Sequence, residues 1–233
     1  MRSVYLEKGM RMSFLETMLA RAKADKQTIV LPEGNDPRTL EAAEKLIAHD
    51  ACNVIAQYVS GTISDFVERM NARAAEVGCT GTHFVNTHGL PDANHYTTAW
   101  DFSRILREAA KHELFMTIAS AVNYTVPDTN VSSERKLEST NSLINPTNPL
   151  YPGDWGYQYA KGIKTGHTND AGYCLASSAE KDGVKLLSVV LKADAFQQED
   201  GSWYYGNFAD TRTLFEWGFN NFSYQDVLKS TET

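Results

Sequence analysis

GIKTGHTNDAGYCLASSAEKDGVKLLSVVL, residues 162–191, decides the fold of this 233-residue chain. It belongs to three runs, YAKGIKTGHT, GYCLASSAEK and VKLLSVVLKA, separated by Asn169-Asp170-Ala171 and by Asp182-Gly183. Strand-length runs bounded by turn residues predict three β-strands. Asp-Gly between the last two predicts a tight hairpin, because both turn positions must take positive φ. The last run carries Leu186, Leu187, Val189, Val190 and Leu191 almost without interruption. Without a further strand beside it, that edge is an aggregation hazard.

Lys164, Thr165 and Gly166 stand on the first of these strands. With ammonium and hydroxyl read as alternate positions of one strand, both are expected to point at one carboxylate. Gly166 has no side chain, so an extended peptide can approach the strand edge and pair with it. His167 and Thr168 are expected at the rim. Taken alone, the triplet reads equally well as an edge lysine followed by a turn.

Around this core the pattern is helical. ADTRTLFEWGFNN predicts a closing helix, and AWDFSRILREAAKH a helix capped by Thr97 or Thr98. A helix is predicted from about Ser64 to Val77, with Phe66, Met70, Ala74 and Val77 inward and Gly78 as its cap. ELFMTIASA predicts a shorter helix. Between it and the strands lies a Pro- and Asn-rich region that reads as an ordered loop or a set of short strands. Nearer the start, MSFLETMLARAKADK predicts an amphipathic helix, QTIVL a buried strand, and NDPRTLEAAEKLIA a second helix whose apolar stripe runs on to Tyr58.

Bulk properties narrow the function. The net charge is -7 and the pI about 5.4. No basic stripe is present to neutralise phosphates, so nucleic acid is not the expected partner. Cys52, Cys79 and Cys174 are widely spaced and odd in number, which predicts buried free thiols rather than a zinc site or disulfides. His88 and His95 flank one loop; no partner completes a ligand set, so loop hydrogen bonding is expected and no metal or cofactor. Trp100, Trp203, Tyr204, Tyr205 and Trp217 read as packing and turn residues. No run is long enough to span a bilayer and no secretory leader is visible, so the chain as read is expected in the cytoplasm.

Residues from about Asp50 to Phe222 resemble the serine-type D-alanyl-D-alanine carboxypeptidases, the low-molecular-weight penicillin-binding proteins. The resemblance is carried by Asn86, His88, Gly89 and Leu90, by Tyr96, Thr97, Thr98, Ala99 and Asp101, by Lys164-Thr165-Gly166 with its hairpin, and by the closing helix FADTRTLFEWGFNNF. It implies an α/β (α+β) domain of the β-lactamase and DD-peptidase type, an antiparallel sheet flanked by helices. It also implies peptidoglycan metabolism, with D-Ala-D-Ala-terminated peptides and β-lactams as partners, and a location outside the cytoplasmic membrane. In that family an S-x-x-K motif supplies nucleophile and base, S-x-N relays protons, and K-T-G clamps the anion.

Met12 to about Ala48, above all LPEGNDPRTLEAA, resembles instead the N-terminus of phosphate acetyltransferase. The expected organisation is therefore a foreign β-α unit over 1–48, an incomplete carboxypeptidase-like domain over 49–222, and a tail over 223–233. Phosphate-acetyltransferase-like sequence stands where S-x-x-K belongs, and Ile47-Ala48-His49 occupies the S-x-N position. Ser133-Glu134-Arg135-Lys136 spells S-x-x-K, but after the second-motif position and without helical periodicity, so it reads as coincidence. No catalytic residue is intact on this reading. The substrate-binding residues left are Lys164, Thr165, Gly166 and His167. Hydrolysis is not expected, and the alternatives are a non-catalytic binder of D-Ala-terminated peptides or a chimeric reading frame.

Overall fold

The computed structural model describes residues 50–130 and 132–224. The β-α reading over 12–48 and the altered motif at Ile47-Ala48-His49 fall outside the described residues. Two compact units divide the chain, Met1–Val67 and Glu68–Thr233. In the first, residues 50–60 are helical, and Thr62 Oγ1 accepts the Asp65 N–H at 3.0 Å to cap the next helix, α1 (Ile63–Glu76). At the far end of α1 the Cys79 N–H reaches back to the Ala74 carbonyl at 2.9 Å.

The second unit is organised on a three-stranded antiparallel sheet in the order β3-β4-β5, formed by Ala160–Thr168, Gly172–Lys181 and Val184–Ala193. Asp182 and Gly183 join β4 to β5 with φ of 50° and 80°. Both values are positive, as a type I′ turn requires and as Gly tolerates without strain. Two small hairpins flank the sheet: β1 (Asn123–Val126) with β2 (Arg135–Glu138), and β6 (Ala195–Gln197) with β7 (Trp203–Tyr205). The first resolves the Pro/Asn-rich region into short strands. The second has no counterpart in the sequence reading, since three residues are too few for a period.

β4 is the spine because it is covered on both faces. Leu175 and Ala176 are successive and so point oppositely. Leu175 joins Leu143, Tyr205 and Phe208 in one buried cluster, while Ala176 joins Leu106 and Ile163 in another. The first cluster lies under α4 (Gly206–Asn221), which packs on β4 and β5. The second lies under α2 (Ala99–Ala109), which packs on β5, and α3 (Glu113–Ala119), which packs on β3. Helices on both sides of an antiparallel sheet give the expected layered α/β architecture. α4 starts three residues before the expected run, at Gly206, because β7 leads straight into it.

The aromatic residues do not behave alike. Tyr205 is buried, and Tyr151 meets Tyr205 and Phe208 edge-on at centroid distances of 5.1 Å. Trp100 and Trp217, expected to pack, are instead 69% and 57% exposed; Trp100 lies under the Arg104 guanidinium. The three cysteines are free, and half-buried rather than buried.

Candidate functional site

Alternation along β3 sorts the third motif onto two faces. Lys164, Gly166 and Thr168 share one face and Thr165 and His167 the other. Lys164 is exposed, whereas Thr165 is buried with its hydroxyl 2.5 Å from that of Thr140. The expected two-point clamp, ammonium and hydroxyl on one carboxylate, is therefore not formed in this state: adjacent strand residues cannot both face one ligand lying on a single side of the sheet. His167 stacks on Tyr173 with ring centroids 4.1 Å apart.

The Lys164 ammonium turns back onto the Thr165 carbonyl. The residue as a whole is exposed, yet burial by the surrounding chain holds its pKa below the usual lysine value. β3 is an edge strand among the described residues, since β4 is its one partner. Opposite Cys174, Gly166 leaves the face of β3 beside Lys164 unfilled: a Cβ there would meet nothing nearer than the Cys174 Cβ at 4.0 Å.

Thr168 begins a cleft about 13 Å further along the same face at the usual rise per residue. The cleft has a volume of about 540 Å³ and runs between the β3–β4 turn, with Asp170 and Ala171, and the loop that carries Gly89, Leu90, Asp92 and His95. That loop is tied by its own side chains. Asn86 Oδ1 accepts the Gly89 N–H at 2.8 Å, and Asn86 Nδ2 donates to the Leu90 carbonyl at 2.9 Å. His88 Nδ1 accepts the Leu90 N–H, and His95 Nδ1 the Val85 N–H, each at 3.2 Å. Both histidines are thus loop hydrogen-bonders, as the sequence suggests. Among the described residues no three His, Cys, Asp or Glu side chains gather as metal ligands.

Asp101 anchors the base of this loop. Its buried carboxylate accepts the N–H groups of Thr80 and Gly81 at 3.1 and 2.6 Å and the Thr82 hydroxyl at 2.8 Å. Burial alone pushes this carboxyl up, but those three donors and the Arg104 charge together outweigh it and hold the group below its ordinary 3.8. Thr98 caps α2 by accepting the Asp101 N–H at 3.1 Å, so the Thr-x-x-Asp spacing was a readable signal for one half of this arrangement. Thr140 lies in a segment, Thr140 to Leu143, that the family resemblance picks out, but its contact with Thr165 was not readable, because 25 residues separate the pair.

Acid is expected to loosen the loop. Burial pushes the His95 imidazole below its ordinary 6.5, with Asp92 opposing and His83 reinforcing the shift. The folded state therefore resists a proton that the unfolded chain accepts. Stability is full above about 6.5 and falls as pH drops from there toward the folded-state value. His95→Gln should flatten this part of a chemical-denaturation profile, since an amide can accept the Val85 N–H without titrating. Equal slopes in the two proteins would remove His95 from the account. Asp101 adds a second loss below about 3.8.

The fold recurs in known proteins. The structure is similar to penicillin binding protein 6B from Escherichia coli (TM-score 0.60, 28% identity, 79% of this chain and 51% of that one). It is also similar to penicillin-binding protein D2 from Listeria monocytogenes in its ampicillin-bound form (TM-score 0.56, 30% identity, 73% and 62%). Among curated relatives, D-alanyl-D-alanine carboxypeptidase DacB2 of Mycobacterium tuberculosis is 32% identical over 173 residues, 73% of this chain and 53% of its own length. DacF of Bacillus subtilis is 28% identical over 185 residues, 79% and 43%. The chain thus spans roughly half the length of the relatives it matches. Over residues 16–195, a span that opens ahead of the join read near residue 48, the sequence fits the D-alanyl-D-alanine carboxypeptidase family model, and the chain belongs to that family.

Proposed function

We propose that this chain recognises peptidoglycan peptides ending in D-alanine, and β-lactams that share their carboxylate, without hydrolysing either. One observation carries the reading: among the described residues β3 presents an open edge, with Lys164 exposed on it and no side chain at Gly166. A terminal carboxylate can meet the ammonium while the peptide backbone adds to the strand. Thr165 and His167 support the strand from its other face rather than touching the same carboxylate. The cleft beyond Thr168 has room for the rest of such a peptide.

Acyl transfer needs a nucleophile beside a base. Ser133 and Lys136 do not supply them, because Arg135–Glu138 is an extended strand and Lys136 is paired with Glu138 at 3.3 Å. The division into a phosphate-acetyltransferase-like 1–48 and a carboxypeptidase-like 49–222 belongs to the same proposal, as does the loss of the second motif at Ile47-Ala48-His49.

Two measurements test it on the full chain. Incubation with a β-lactam should leave the intact mass unchanged; a covalent adduct sinks the non-hydrolytic reading. Titration with a peptide ending in D-Ala-D-Ala should give saturable heat that Lys164→Ala weakens at least tenfold. Absence of heat, or binding untouched by that substitution, removes the role of β3.

A further inference from the structure

Thr165 is bonded to Thr140 across 25 residues of sequence, and the loop around Thr140 holds it firmly. Ser139, just before it, is engaged at each of its polar groups. Its N–H donates to the Val122 carbonyl at 2.8 Å, and its hydroxyl accepts the Asn141 N–H at 3.2 Å. Its carbonyl accepts two side-chain amides at once, those of Asn145 and Asn148, each at 2.9 Å. Both asparagines are buried, and each amide is also tied at its other end. Asn145 Oδ1 accepts the Thr147 hydroxyl at 3.2 Å, and Asn148 Oδ1 accepts the Leu150 N–H at 2.9 Å. An amide bonded through both atoms has its orientation fixed. Just beyond Thr140, Leu143 joins Leu175 in one buried cluster, and Leu175 is the residue paired with Thr165 across β3 and β4. The loop therefore grips the strand pair at two points, a hydroxyl and a core side chain. These contacts join described residues within Glu68–Thr233, so none depends on what lies against an outer surface.

We propose that Thr140 is a positioning residue for Lys164-Thr165-Gly166: it fixes the Thr165 backbone, and through it the Lys164 ammonium, without touching a ligand itself. The route has two links. The Thr140 hydroxyl holds the Thr165 hydroxyl, and the Thr165 carbonyl holds the ammonium. Thr165 is 5% exposed. Deprived of Thr140, its hydroxyl is left buried and unpaired, which is unfavourable. The strand relieves that by turning toward water, and the carbonyl turns with it. The ammonium then loses its acceptor and spreads over several rotamers. A side chain aimed by a second layer of hydrogen bonds needs less ordering when its ligand arrives.

Any effect on affinity rests on the reading of β3 as the carboxylate-binding strand; the placement of the ammonium needs no ligand. The first readout is therefore ligand-free. Labelling of the full chain with a dilute acetylating reagent, followed by peptide mass spectrometry, reports how free each lysine ammonium is. Thr140→Val keeps the shape and removes the hydroxyl. It should raise the labelling rate at Lys164 by about threefold or more and leave Lys111 and Lys185, both exposed, unchanged. Thr140→Ser restores a hydroxyl and should return Lys164 to the wild-type rate. Asn148→Leu, acting one step further back through Ser139, should move Lys164 in the same direction as Thr140→Val.

The second readout is calorimetric titration with a peptide ending in D-Ala-D-Ala. Affinity should fall by about fivefold or more in Thr140→Val and stay at the wild-type value in Thr140→Ser. Equal labelling of Lys164 in the wild type and in Thr140→Val overturns the proposal. So does a rise shared by Lys111, Lys164 and Lys185, which reports a general loosening, or a Thr140→Ser that behaves like Thr140→Val. A wild-type chain that gives no heat with the peptide removes the ligand reading of β3 instead, and the labelling rates still decide the role of Thr140.

Discussion

Phe208→Ala is expected to cost about 3–5 kcal/mol and to leave the domain largely unfolded near body temperature. Phe208 is 0% exposed and lies where α4 meets the sheet. Tyr151 approaches its ring edge-on at 5.1 Å, and Trp155 lies 5.8 Å away. Truncation removes the ring from both and leaves a cavity that the loop residues Tyr151 and Trp155 fill poorly, since each is held by its own hydrogen bonds or ring contacts. Denaturant unfolding measures the loss directly. Trp100→Ala is the matched control, because Trp100 is 69% exposed and its removal should change stability by no more than about 0.5 kcal/mol. Comparable losses at the two positions would mean that the cluster around Phe208 does not hold the fold.

The contrast also explains what was legible in the sequence. The three strands, the Asp182-Gly183 turn, Thr98 as a cap and Gly78 as a stop are local features, and each lies where the pattern puts it. The two faces of β4 were not legible, because a continuous run such as CLASSA carries no period to separate Leu175 from Ala176. Exposure of Trp100 and Trp217 was not legible either: composition makes tryptophan a core residue, and nothing local marks these two as lying off the buried face of their helices. At the site, Lys164 and Gly166 were read correctly as neighbours on one strand. The partition that turns Thr165 inward onto Thr140 needed the strand's period and a contact from a distant loop.

Gly162→Ala is expected to be the most damaging one-carbon change near the site. Gly162 adopts φ +105°, where an L-residue is strained by about 1–3 kcal/mol. The added Cβ would also lie 2.5 Å from the Ala119 carbonyl oxygen and 3.0 Å from its carbon. These are backbone atoms at the end of α3, so no side chain can rotate away. The Gly162 carbonyl also accepts the Ser177 hydroxyl at 2.5 Å, fixing β3 to β4 just before Lys164. Relief of the clash must therefore move either α3 or the start of the strand that carries the ammonium. Gly183→Ala isolates the strain from the clash. Gly183 has φ +80° and no atom within 4 Å of an added Cβ, so its loss should be about 1 kcal/mol. The measured excess of Gly162→Ala over Gly183→Ala is then the cost of the approach of α3. It should be accompanied by weaker binding of a D-Ala-terminated peptide in the first variant alone. Equal stabilities and equal affinities in the two variants would show that β3 is not positioned by this contact.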